Sequence, residues 1–152
     1  MSRKPWPGWD WAASLTLTDA RLTADQVTNS AIGLGLRGDR LPVVPKLAGS
    51  ASTERRWALG DDLRARLRFD VTYAGLARSA FNAGNADYLK MGGHAVFGLG
   101  AGLERGDWSA DLAIENLLDR AGRASAARNT SGPVEYFGVM PRTLRLTLER
   151  RF

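Results

Sequence analysis

A chain of 152 residues, 44% of them hydrophobic and none of them cysteine, is long enough to bury one core, and it excludes disulfides, cysteine zinc sites, iron–sulfur clusters and thiol catalysis. No stretch approaches the roughly 18 to 20 continuous apolar residues of a membrane helix. That excludes a helical membrane protein but leaves a β-barrel open, since barrel strands alternate lipid-facing and lumen-facing residues and average to ordinary hydropathy.

The net charge of +5 comes almost wholly from arginine, with lysine at Lys4, Lys46 and Lys90. Taken alone it suggests a polyanion such as nucleic acid or lipopolysaccharide. Met1-Ser2-Arg3-Lys4-Pro5-Trp6-Pro7-Gly8 carries two basic residues with no apolar core of about 7 to 15 residues behind them, so it does not read as a signal peptide.

From Trp9 onward the chain falls into segments of period two, the mark of strands with one apolar and one polar face. In the first, Trp9, Trp11, Ala13, Leu15 and Leu17 oppose Asp10, Ser14, Thr16 and Thr18. The second, Lys46 to Leu59, sets Trp57 and Leu59 against Glu54 and Arg56. The third, Leu63 to Tyr73, alternates without exception, with Arg64, Arg66, Arg68 and Asp70 on its polar side. The fourth, from about Leu89 to Arg105, has Met91, Ala95, Phe97, Leu99, Ala101 and Leu103 on one side, and His94 with Gly92, Gly98, Gly100 and Gly102 on the other. In the fifth, Trp108, Ala110, Leu112 and Ile114 oppose Asp111 and Glu115; in the sixth, Leu144, Leu146, Leu148 and Phe152 alternate with Arg145, Thr147, Glu149 and Arg151. Six strands are therefore expected, with no competing helical period. Several of about 14 to 17 residues exceed the roughly 9 to 11 that cross a bilayer at a tilt, so those are expected to project beyond it.

Connection lengths alternate. Gly60-Asp61-Asp62 and Gly106-Asp107 read as tight hairpin turns, whereas residues at roughly 24–44, 79–88 and 118–138 form longer Gly-, Asn- and Ser-rich connections. A three-residue turn keeps the apolar face on the same parity, as Trp57 and Leu59 followed by Leu63 and Leu67 require. A two-residue turn switches it, as Leu103 followed by Ala110 and Leu112 requires. Short turns at one end and long loops at the other is the arrangement of outer-membrane barrels, with the short turns periplasmic.

Three landmarks lie on this frame. Leu41-Pro42-Val43-Val44-Pro45-Lys46 resembles the "LPxxP" element that leads from an extracellular loop into a descending strand in TonB-dependent outer-membrane receptors; proline suits that mouth because it fixes φ and cannot donate to a ladder. Ile114-Glu115-Asn116-Leu117-Leu118-Asp119-Arg120 resembles the family's "NLFDK" element before its last long loop, with Leu118 where phenylalanine is usual and Ala121-Gly122 in place of an aromatic. Asn116 and Asp119 suit that position because their side chains bond their own backbone and turn the chain out of the sheet. Gly138-Val139-Met140-Pro141-Arg142-Thr143-Leu144, running on to Phe152, resembles the closing "GxPRTxxLxLxYRF", with Arg150 where an aromatic is usual. The motif residues are thus Asn116, Leu117, Asp119, Pro141 and Arg142, and Leu144, Leu146, Leu148 and Phe152 are similar to the outer-membrane assembly signal, recognised by strand addition to the barrel assembly machinery.

The resemblance covers nearly the whole chain from Trp9. It implies an all-β, antiparallel transmembrane barrel segment: about six strands forming the last part of a 22-stranded barrel, without a plug domain. Residues 1–8 would then be a stub at a truncation point and residues 9–152 the C-terminal barrel strands. It further implies the outer membrane of a Gram-negative bacterium, contact with membrane lipid and lipopolysaccharide, and a TonB complex acting only through the missing plug. The function implied is active uptake of a scarce small ligand such as a siderophore–iron complex, cobalamin or haem. An isolated six-stranded piece is not expected to transport. Two other readings stay open: a small outer-membrane protein serving as anchor or adhesin, and a soluble lipid-binding β-barrel.

For individual residues, Arg64, Arg66 and Arg68 form a column spaced about 6.8 Å along one strand face. They read as a lumen wall paired with carboxylates such as Glu54 or Asp70, or as a basic lining that attracts an anionic substrate or contacts the plug. Nucleic acid is not expected, because the opposite face is uniformly apolar. The glycines from Gly98 to Gly102 lack dinucleotide-loop spacing and a following helix; facing inward, they leave room for a plug. His94 has no second ligand at metal-binding spacing, and no catalytic set or cofactor site is expected. Trp57, Trp108 and Phe152 lie near short turns and suit a periplasmic aromatic girdle. The candidate ligand-contacting loop carries Arg123, Arg128 and Asn129.

Overall fold

The computed structural model describes residues 8–26, 34–81, 88–128 and 134–152, and every regular element in them is a strand. In chain order these are β1 (Trp9–Leu17), β2 (Leu47–Ala58), β3 (Leu63–Ala74), β4 (Ala77–Arg78), β5 (Lys90–Met91), β6 (His94–Arg105), β7 (Trp108–Glu115), β8 (Arg123–Arg128), β9 (Val134–Gly138) and β10 (Thr143–Arg150). Six of them build one antiparallel sheet in the order β1-β2-β3-β6-β7-β10, while β4-β5 and β8-β9 form two small hairpins inside the long connections.

Turn length sets the register. Across Gly60–Asp62, Ala58 faces Arg64 and Trp57 faces Ala65, so odd residues stay opposite odd ones. Across Gly106-Asp107, Leu103 faces Ala110 and Ala101 faces Leu112, so parity switches. Gly106 takes φ 55°, the left-handed value that a two-residue hairpin turn needs and glycine supplies without strain. Both short turns lie at one end of the sheet; the connections from β1 to β2, β3 to β6 and β7 to β10 lie at the other.

With the register fixed, the alternation of each strand sums into two opposed faces. One carries Trp11, Leu15, Leu67, Phe69, Leu103, Leu112, Leu146 and Leu148, with Arg55, Arg105 and Arg150 toward its short-turn end; the other carries most of the charged residues. Among the described residues none packs over the apolar face. Leu15 is 71% exposed, Leu17 77%, Leu144 67% and Leu148 67%. Among the described residues the only buried side chains are Ala65, Ala80, Met91 and Asn116. An apolar surface continuous over six strands is of the kind that marks an interaction or membrane site, in contrast to the scattered apolar residues of any soluble protein. The sheet is not closed: β1 and β10 each have a neighbour on one side only.

Three features differ from expectation. The longest strands, β2, β3 and β6, have 12 residues each, short of the 14 to 17 read from alternation. The expected fourth strand breaks at Gly92 and Gly93, which take φ 70° and 69°; these left-handed residues end one ladder before the next begins. A Cβ on Gly92 would collide with the Gly75 carbonyl, so the backbone crossing there has no space for a side chain. Finally, the connection expected over 118–138 contains the β8–β9 hairpin, whose ladder shifts register between Arg123 and Ser125.

Candidate functional site

The second and third sequence landmarks, 24 residues apart, meet at the long-loop end of β7 and β10. Asn116, at φ 50° and 2% exposed, ends β7 in the left-handed conformation that asparagine tolerates better than other side chains. Its Oδ1 accepts from the Arg120 N–H at 2.8 Å, and its Nδ2 donates to the carbonyls of Arg120 at 3.1 Å and Met140 at 2.8 Å. Asp119, also at φ 50°, accepts from the Arg142 N–H at 3.0 Å through Oδ1, and Thr143 donates its hydroxyl to the Pro141 carbonyl at 3.0 Å. The Leu117 N–H donates to Phe97 in β6 at 2.8 Å. Asn116, Leu117, Asp119, Pro141 and Arg142 therefore belong to one clamp, which ties the exit of β7 to the entry of β10.

On the polar face, the column Arg64, Arg66 and Arg68 stands opposite Glu104, Gly102 and Gly100 of β6. Arg66 lies across Gly102 and reaches the next strand, where its Nε donates to Asp111 at 2.8 Å. Arg68 pairs with Asp70 at 3.4 Å, Arg56 with Glu54, and Arg145 with Glu115. The expected pairing with Asp70 is present, whereas Glu54 binds Arg56 of its own strand. Two of the glycines of β6 are closely covered: a Cβ on Gly98 would come within 2.5 Å of the Asp70 carboxylate, and one on Gly102 would displace Arg66 and Asp111. At Gly98 and Gly102 this chain's own side chains occupy the space above the backbone, whereas at Gly100 the nearest atom is the Arg68 Cβ at 3.7 Å.

Of the expected ligand loop, Arg123 opens β8 and its carbonyl accepts from the Gly92 N–H at 3.0 Å. The Arg128 side chain and Asn129 lie outside the described residues. A more developed basic site lies between the other long connections. A cavity of about 580 Å³ is lined by Arg21, Arg40, Lys46, Arg78 and Lys90, with Asp39 the one carboxylate among its described lining residues. Sequence reasoning did not find it, because each cation stands alone in its own segment. The bridge between Arg21 and Arg40, the pairing of Arg78 with Lys90, and the bond from the Val43 N–H to the Arg78 carbonyl at 2.7 Å bring them together. Val43 takes φ 67° there, costly for a β-branched residue. Asp39 is engaged by the Leu36 N–H at 2.9 Å, and Asp19 bridges Arg21 and Arg40 from outside at 3.0 Å each. The hydrogen bond from Arg21 holds the exposed Asp19 carboxyl below the usual carboxylate range, with Arg40 and Lys46 adding to it. This bridge thus persists as pH falls until that lowered value is passed.

Leu144, Leu146 and Leu148 project from the apolar face of β10, paired with Ile114, Leu112 and Ala110 of β7, and Phe152 follows on, fully exposed. At the short-turn end of the same face stand Trp57 and Trp108. His94 begins β6 with its Nδ1 buried and unpartnered beside Gly122. Among the described residues no group of three or more histidines and carboxylates is placed to hold a metal ion. No known family model, curated protein or solved structure matches this chain.

Proposed function

We propose that these six strands form a contiguous part of the wall of an outer-membrane β-barrel of the TonB-dependent receptor type, which takes up a scarce ligand such as a siderophore–iron complex, cobalamin or haem. One observation carries the proposal: a six-stranded meander with an exposed face that is apolar apart from Thr53 and the arginines toward its short-turn end, an ion-paired opposite face, and short turns gathered at one end. In water such a face is costly at about 25 cal/mol per Å²; in hydrocarbon it is at home, while the arginines face an aqueous lumen. The soluble-barrel alternative would turn the same face inward, onto a core that the described residues do not form. Within the receptor reading, the Asn116–Asp119 clamp fixes the last long loop, the free edge of β10 is available for strand addition during assembly, and the basic cavity is the place for an anionic ligand group. Uptake itself would need the remaining wall, a plug and the TonB complex.

The test is the surroundings of the apolar face. The full chain is expected to aggregate in plain buffer, to disperse in detergent micelles, and, once in bilayers, to have its Trp11 emission quenched by lipids brominated along their acyl chains. A compact monomer in detergent-free buffer with Trp108 and Phe69 shielded from iodide would overturn the membrane reading.

A further inference from the structure

Two arginines on the apolar face share one construction. Arg55 of β2 has Trp9 directly opposite on β1 and Trp57 two residues on; its guanidinium carbon lies 5.4 Å from the Trp9 ring centre and 5.7 Å from that of Trp57. Arg150 of β10 has Trp108 directly opposite on β7 and Phe152 two residues on, at 5.1 Å and 5.0 Å. The two constellations stand near opposite edges of the sheet, both toward its short-turn end. A third arginine of this face, Arg105, is the other cross-strand partner of Trp108 and bonds Asp62 at 3.1 Å.

The arginines of the polar face that reach a carboxylate do so within the sheet, and Arg105 does so at its turn. Among the described residues, Arg55 and Arg150 have ring contacts but no ion pair. A guanidinium lying against an aromatic ring keeps its planar N–H fork free at the edge, a shape that matches a phosphate oxygen pair. A full positive charge at the border of an apolar surface calls for a counter-ion, and its long stem lets the head reach toward water from that surface. Since the face beyond these residues is apolar but for Thr53, the complementary partner is a molecule with an anionic head and hydrocarbon tails.

We propose that Arg55 and Arg150, each braced by two aromatic rings, bind the phosphate of an anionic phospholipid whose acyl chains cover the leucine-rich face behind them. This rests on the membrane-wall reading and adds to it a headgroup preference localised to two sites. Arg150, which departs from the aromatic usual at its position, is in this view the charged half of a binding pair with Trp108.

The experiment uses the full chain in maltoside micelles, titrated with phosphatidylglycerol or with phosphatidylcholine of the same acyl chains, and counts bound lipid by native mass spectrometry. Phosphatidylglycerol is expected to bind about fivefold more tightly per site. Replacing both residues (Arg55→Gln with Arg150→Gln) should abolish the preference, Arg55→Lys with Arg150→Lys, which keeps the charge but not the planar fork, should keep only part of it, and Arg64→Gln with Arg68→Gln on the opposite face should leave it intact. Equal binding of the two lipids by the unaltered chain overturns the proposal whatever the variants do, as does equal loss in the Arg64/Arg68 pair. A chain that disperses in micelles without any headgroup preference overturns this proposal alone; a chain that stays monomeric in plain buffer and takes up neither lipid overturns the membrane-wall reading with it.

Discussion

Asn116 satisfies three backbone groups with one side chain while holding a left-handed φ. Alanine there would lose all three bonds, strand the Met140 carbonyl and the Arg120 N–H, and keep the Cβ crowding of the left-handed region without the polar bonds by which asparagine offsets it. The summed cost is about 2–4 kcal/mol. Glycine loses the same bonds but accepts the backbone, so Asn116→Gly should be milder than Asn116→Ala by about 1 kcal/mol. Urea midpoints of the micelle-folded chain measure both, and an Asn116→Ala midpoint equal to the unaltered chain's would show that the clamp holds nothing. The turn itself is legible in Asn116-Leu117-Leu118-Asp119, because both polar residues act on backbone within a few positions. The clamp is not, because its acceptor on Met140 and its donor on Arg142 become neighbours only when β7 and β10 pair.

Within the strands, β6 shows how position reverses the effect of the same substitution. Glycine in a strand interior costs about 0.5–1 kcal/mol relative to alanine through backbone entropy. At Gly100 an added Cβ meets nothing closer than 3.7 Å, so Gly100→Ala should stabilise by about that amount. At Gly102 the Cβ falls where Arg66 crosses to Asp111. Gly102→Ala should therefore destabilise by about 1–2 kcal/mol, the clash and the loss of a half-exposed bridge outweighing the entropy gain. The two midpoints should move in opposite directions; movement in the same direction would mean that the bridge does not depend on the bare backbone at Gly102. Alternation alone identified β3, β6 and β7 and the faces they present. It overran the end of β6, because Met91 keeps the odd-position pattern while Gly92 and Gly93 break the backbone. It missed β8, because Arg-Ala-Ser-Ala-Ala-Arg has no apolar face to alternate, and β9, because five residues are too few to establish a period.

For the whole sheet, the two faces and the register follow from period and turn parity, so the six-stranded order is legible in the sequence. What lies beyond its edges is not, because no pattern inside the chain names a partner for the outer side of β1 or β10. Each free edge presents a row of N–H and C=O groups, and each such group left unpaired in hydrocarbon costs several kcal/mol. The smallest membrane barrels use about eight strands, more than the six in this sheet, so curling β1 onto β10 within one copy is not an available remedy. On the proposed membrane-wall reading, the chain by itself should therefore settle its edges against other chains. In detergent it should run as a mixture of multimers by analytical ultracentrifugation, and in a planar bilayer it should give no steady single-channel conductance at concentrations where monomer dominates. A uniform conductance from monomer would mean that β1 and β10 meet within one molecule and that the open sheet closes on insertion. The wall proposed here would then be a complete pore, and the Arg66–Asp111 bridge would line its lumen.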